Sequence, residues 1–184
     1  ISLNTFQGEC RSLWAWLTLA GQKLTGVGTH LKFYIELGGS YYDITPLRAS
    51  TTNAATFAAT NGSTTITVTD SSHGAIIGDF VTFSSAVSLG GVITAAVLNI
   101  EYEITAVTSG NAYTITASVE ANSSDSGNGG SATDAAYQIS VGASTEVPIR
   151  GWSAGTWGTG TWGNGAASSQ ALRLWSQSNF GEDL

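Results

Sequence analysis

The sequence predicts an all-β protein in which one small β domain is inserted into another. Three observations lead there. Charged residues make up only 10% of the 184 residues, against about a quarter in ordinary soluble domains. Gly is frequent (23) and Pro scarce (2), and short alternating runs of apolar and Thr/Ser residues end at Gly, Asn or Ser, as strands joined by tight turns do. Charge and tryptophan are also unevenly divided. The basic residues are Arg11, Lys23, Lys32, Arg48, Arg150 and Arg173, and none lies between 49 and 149. That window holds Asp70, Asp79, Glu101, Glu103, Glu120, Asp125, Asp134 and Glu146, and no Trp. The division places a guest β-sandwich or barrel at 50–149 inside a host built from 1–49 and 150–184. Insertion asks only that the guest's ends lie close together at a surface.

In the host, residues 13–19 read as a strand that sets Trp14 and Trp16 on one face. Residues 31–37 and 40–44, separated by Gly38-Gly39 and closed by Pro46, read as a hairpin. Residues 171–176 read as a returning strand. In the guest, residues 64–69 turn Ile66 and Val68 to one face and threonines to the other. Strands follow at 79–84, at 101–106 with Tyr102 and Ile104 inward, at 112–117 with Tyr113 and Ile115 inward, and at 136–141. Ser109-Gly110-Asn111 turns the chain between two of them, and 122–134 reads as a polar loop. The charge-free stretch 80–100 has the length of a membrane span. Ser84, Ser85, Ser88, Gly90, Gly91, Thr94 and Asn99 interrupt it, so strands and a turn are the better reading. The single cysteine, Cys10, has no internal partner. The lack of methionine suggests a piece of a longer protein.

Candidate chemistry is thin. Gly151-Trp-Ser-Ala-Gly155 matches G-x-S-x-G around Ser153, but no helix-forming run follows, and both histidines, His30 and His73, precede it. Glu101 and Glu103 leave one strand face together, a spacing that fits a glycosidase pair, yet they look like a solvated face without distinct environments. His30, His73 and Cys10 lack metal-ligand spacing. Asp125-Ser-Gly-Asn-Gly-Gly lacks the alternate ligands of an EF-hand. Gly26-Val-Gly28 is too short for a dinucleotide fingerprint. No catalytic residue, cofactor or metal is expected, and the lack of basic patches argues against tight nucleic-acid binding.

The stretch GWSAGTWGTGTWGNG, 151–165, spaces Trp152, Trp157 and Trp162 five residues apart. In an extended chain the middle ring would face away from the other two. A flat sugar-stacking platform is therefore the weaker reading, and packing within or between subunits the stronger, since Gly allows close backbone approach. Trp14, Trp16 and Trp175 join these three as packing or interface candidates.

Two segments resemble a known family. Gly26-Val-Gly-Thr29, Phe33-Tyr-Ile-Glu and Gly38-Gly-Ser-Tyr-Tyr-Asp-Ile-Thr-Pro-Leu-Arg48 form one. Leu172-Arg-Leu-Trp-Ser-Gln-Ser-Asn-Phe-Gly-Glu-Asp-Leu184 forms the other. Both resemble the tail tubular, or nozzle, proteins of short-tailed phages, as do the Gly-Trp repeat and His73-Gly-Ala-Ile-Ile-Gly-Asp-Phe-Val81. The resemblance implies a virion component of the phage tail. Its host segments would be propeller-like, it would assemble as a homo-oligomeric ring of six under a tail adaptor, and double-stranded DNA would pass through it. The family carries no catalytic residues. Two alternatives remain: a host-recognition adhesin or carbohydrate-binding module that contacts a surface glycan, and a polysaccharide-degrading enzyme using Glu101 and Glu103.

Overall fold

The computed structural model describes residues 2–3, 5–126, 133–140 and 174–178. These are largely strand. The chain separates into two compact units, Pro46–Ser140 and the residues on either side of it.

The flanking unit is a five-stranded antiparallel sheet. Its strands are β1 (Ser2–Leu3), β2 (Cys10–Leu17), β3 (Lys23–Thr29), β4 (Phe33–Leu37) and β5 (Ser40–Asp43), in the spatial order β1-β5-β4-β3-β2. Gly38 and Gly39 both adopt positive φ, 61° and 85°. That conformation suits the tight turn pairing Leu37 with Ser40. The strand across 23–29 has no counterpart among the sequence-based elements. Its Gly26 and Gly28 both pair on two sides, with β2 and with β4. Val27 and Tyr34 are buried on one face, and Phe6 packs edge-on to Tyr41 at 5.2 Å beside them. Lys32, 1% exposed along its side chain, donates to Asp43 Oδ2 at 2.7 Å. Thr45 donates to Asp43 Oδ1 through its backbone N–H (2.9 Å) and its hydroxyl (2.6 Å).

The second unit comprises β6 (Leu47–Ala59), β7 (Thr65–Thr69), β8 (Phe80–Ser84), α1 (Ala95–Leu98), β9 (Glu101–Glu103), β10 (Ala106–Ser109), β11 (Ala112–Thr116), β12 (Asp125–Ser126) and β13 (Thr133–Gln138). The strand order is β10-β11-β7-β6-β13-β8-β9, with β12 on β6. β6 begins at Leu47, ahead of the 49/50 border where charge and tryptophan content change. It serves both halves of the sheet. Its first part pairs with β13 and its last residues, Thr56 to Ala59, pair with β7. The ladder shifts register between Thr133 and Ala135, opposite Asn53, which adopts φ 55°. The Asn53 N–H donates to Asp134 Oδ1 at 2.9 Å. A bulge of this kind bends a strand and increases its twist, which lets one strand pass between two partners.

Alternation then builds the core. Ile66, Val68, Tyr113, Ile115, Phe57, Val81, Phe83, Tyr102, Ala135 and Tyr137 all turn inward. The stretch 101–106 is interrupted: β9 pairs with β8, and Thr105 restarts pairing with Thr114 (N–H to O, 2.9 Å) ahead of β10. The charge-free stretch from 80 to 100 holds β8, turns and the four-residue α1, whose Leu98 is buried. Asn99 clamps it by accepting from Ala86 N–H and donating to Ala86 O, both at 2.8 Å. Among the described residues no helix is long and apolar enough to cross a membrane. Neither a closed barrel nor a propeller forms among them.

Candidate functional site

Register across the five-stranded sheet assembles an aromatic row. Trp14 pairs with Gly26, Gly26 with Ile35, and Ile35 with Tyr42. Directly paired residues share a face, so these four form one line across four strands. At about 4.8 Å per strand, the backbones of Trp14 and Tyr42 stand about 14 Å apart. Trp14 is 40% exposed and Tyr42 41%. Gly26 places no side chain between Trp14 and Ile35. Trp16, on the same face, is 8% exposed and belongs to the core.

The neighbouring row is Ser12, Gly28 and Phe33, and Trp175 lies on it. Its ring stacks on Phe33 at 4.8 Å with a 19° interplanar angle. Its indole N–H donates to Thr29 O at 2.9 Å. A Cβ on Gly28 would stand 2.6 Å from the indole, so only glycine admits this contact. Gln177 Nε2 donates to Ser12 Oγ at 2.6 Å, and its buried Oε1 has no hydrogen-bond partner. The row from Trp14 to Tyr42 thus has aromatic rings at both ends, an arrangement suited to stacking on the apolar face of a ring such as a sugar.

The other sequence-derived candidates are dispersed. Trp152, Trp157, Trp162 and Ser153 lie outside the described residues. Glu101 accepts from Gln138 Nε2 at 2.6 Å, and Glu103 is exposed. His30 Nδ1 accepts from Glu9 N–H at 2.9 Å in the flanking unit. His73 is buried in the other unit, where Nδ1 accepts from Ala75 N–H at 3.0 Å and Nε2 lies 3.0 Å from Ser109 O. The Nε2–H tautomer satisfies both contacts. Cys10 is exposed and reduced. Among the described residues no three His, Cys, Asp or Glu side chains gather as a metal site.

Sequence reasoning missed a buried polar cluster in the second unit. Tyr137 donates to Asp70 Oδ2 at 2.6 Å, Thr51 donates to the same oxygen at 2.6 Å, and the Tyr113 and Tyr137 hydroxyls meet at 3.0 Å. Arg48 lies over the Tyr137 ring, 5.1 Å from its centroid, and donates to His73 O at 3.0 Å. Burial pushes both tyrosine hydroxyls far above their ordinary range, and Asp70 adds to the rise at each. They remain neutral donors. The alternation at Tyr113 and Tyr137 marks them as inward in the sequence, but their polar partners come from 24 to 67 residues away.

No protein-family model and no curated protein sequence matches the chain. Among solved structures it is similar to a phage phi92 endosialidase, at 17% identity and a TM-score of 0.42, over 71% of this chain. The chain spans 18% of that protein's length.

Proposed function

We propose that the chain is a non-catalytic binding component of a phage tail, and that the row from Trp14 to Tyr42 contacts glycan on the host surface. The observation that carries this reading is the exposure of two aromatic rings at the ends of one cross-strand row. Each ring is about two-fifths exposed and so forgoes about 1 kcal/mol of burial, a cost that binding recovers. Flat aromatic faces stack on the apolar C–H faces of sugar rings. On this reading the unit 46–140 is an inserted β-sandwich, and the protein is found in the virion. The test is titration of the full chain with polysaccharide extracted from candidate host cells. Saturable binding supports the reading, and no heat or fluorescence change with any of them counts against it.

A second reading is favoured by one specific contact. The two segments that resemble phage nozzle proteins meet at Trp175, which rests on Gly28, Thr29 and Phe33. On that reading the flanks are propeller-like parts of a homo-oligomeric, six-membered ring beneath a tail adaptor, through which double-stranded DNA passes. Electron microscopy of the chain mixed with adaptor tests it: rings with an axial channel support the nozzle, and their failure to form counts against it.

A further inference from the structure

We propose that Asn61 is a site of self-modification, which deamidates to aspartate and isoaspartate at a rate set by the release of Gly62 from Ala121. Asn61 and Gly62 form the turn between β6 and β7. Ser63 N–H donates to Thr60 O at 3.1 Å and closes the turn, and Gly62 adopts φ 75°, a conformation that suits glycine at the third position of a tight turn. Both residues are exposed. The Asn61 carboxamide has no hydrogen-bond partner among the described residues. A Cβ on Gly62 would meet nothing within 4 Å, so that side of the turn is open.

The chemistry needs only water. The Gly62 amide gives up its proton, and its nitrogen attacks Asn61 Cγ. A new C–N bond forms, the bond to the carboxamide nitrogen breaks, and that nitrogen leaves with a proton as ammonia. A succinimide ring remains. Water opens it at either carbonyl, giving aspartate, or isoaspartate in which the backbone runs through the former side chain. Glycine favours the attack because no side chain hinders approach to its nitrogen. The other described asparagines are less suited. Asn99 is held to Ala86 through both ends of its amide, at 2.8 Å each. Asn111 Oδ1 accepts from Ser72 N–H at 2.9 Å, and Asn122 Oδ1 from Val92 N–H at 3.1 Å. Asn53 precedes Ala54, whose methyl group stands in the way.

The fold supplies a brake. Gly62 N–H donates to Ala121 O at 2.7 Å, Asn61 N–H to Ser124 Oγ at 3.0 Å, and Ala121 N–H to Ser63 O at 2.9 Å. These bonds stitch the turn to 121–124. The Gly62 nitrogen must leave Ala121 O before it can reach Asn61 Cγ, so the turn opens locally before it reacts. Isoaspartate lengthens the backbone of the turn, and either product adds a negative charge to an acidic segment. The inference does not depend on the glycan reading, because it rests on this turn alone.

The experiment incubates the full chain in mildly alkaline buffer, folded or unfolded in urea, and follows the conversion of amide to acid by peptide mass spectrometry. Chymotrypsin, cutting after Phe57 and Phe80, isolates Asn61 from every other asparagine. Asn128-Gly129 and Asn164-Gly165 lie outside the described residues and fall in separate peptides. In the folded chain Asn61 should convert about tenfold more slowly than in the unfolded one, and ahead of Asn53, Asn99, Asn111 and Asn122. Ser124→Ala, which removes one stitch, should speed the folded reaction about two- to tenfold and leave the unfolded rate unchanged. Ser124→Thr keeps the hydroxyl and should react like the parent. An Asn61 that stays an amide in the folded chain after the unfolded chain has converted overturns the proposal. A folded rate that Ser124→Ala does not change overturns the brake. Glycan binding is measured separately, so its loss or retention leaves these outcomes distinct.

Discussion

Trp175 lies nearly parallel to Phe33, ring centroids 4.8 Å apart, with its indole N–H on Thr29 O, 146 residues away in the chain. The contact exists because Gly28 beneath it has no side chain: a Cβ there would stand 2.6 Å from the indole. Gly28→Ala should expel the indole and cost about 2–3 kcal/mol. Trp175→Ala should cost a similar amount. Because both changes remove one contact, their combination should cost little more than either alone, as a double-mutant cycle on thermal melting would record. Additive losses would mean that the stacking is not what Gly28 serves.

In the second unit, Tyr137→Phe removes a hydroxyl that donates to Asp70 Oδ2 and meets Tyr113. Asp70 is 1% exposed and its Oδ1 has no hydrogen-bond partner. The variant leaves the carboxylate with less support in a place water cannot reach, so it should cost about 1–3 kcal/mol. Urea denaturation should show a lower midpoint at unchanged slope. Thr51 still donates to Asp70, so Thr51→Val combined with Tyr137→Phe should be worse than either.

Asp43 gives the flanking unit an acid limit. Burial pushes its carboxyl up, but the bonds from Lys32 and Thr45 outweigh burial and hold it below its ordinary 3.8. A carboxyl lowered in the folded state contributes stability above its unfolded pKa and loses it as pH falls through the folded value. Asp43→Asn should therefore melt lower than the parent at pH 7, by the equivalent of about 2 kcal/mol, since it strips the carboxylate from the buried Lys32 ammonium. The gap should close as pH falls below about 4. A gap that stays constant from pH 7 to pH 3 would contradict the assignment.

Much of the fold is legible in the sequence where alternation is clean. Ile66 with Val68 and Tyr113 with Ile115 turn inward because a strand's period is two, and each pair is fully buried. Gly38-Gly39 marks its hairpin for a local reason, the positive φ at both positions. β3 is hidden because Gly26 and Gly28 interrupt any apolar alternation there, whereas in the sheet Gly28 makes room for Trp175. β6 is hidden because Ser50-Thr-Thr-Asn-Ala-Ala-Thr56 has no apolar period. Pairing with β13 and β7, and the bulge at Asn53, hold it extended. The site follows the same division. That Trp14 and Trp16 share a face is local information. That Trp14 lines up with Tyr42 depends on three successive ladders, which no short stretch of sequence specifies.

The aromatic row is tested most directly by measuring glycan binding and thermal melting together for Trp14→Ala, Tyr42→Ala and Trp16→Ala. Trp14 and Tyr42 are about two-fifths exposed, whereas Trp16 is buried. Trp14→Ala and Tyr42→Ala should keep the melting temperature within a few degrees of the parent, as changes at partly exposed positions do. Each should weaken binding about tenfold, the loss of one stacking partner. Trp16→Ala should instead destabilise the fold by about 3–5 kcal/mol. Variants at Trp14 and Tyr42 that melt like the parent and bind host polysaccharide as tightly as it does would contradict the assignment.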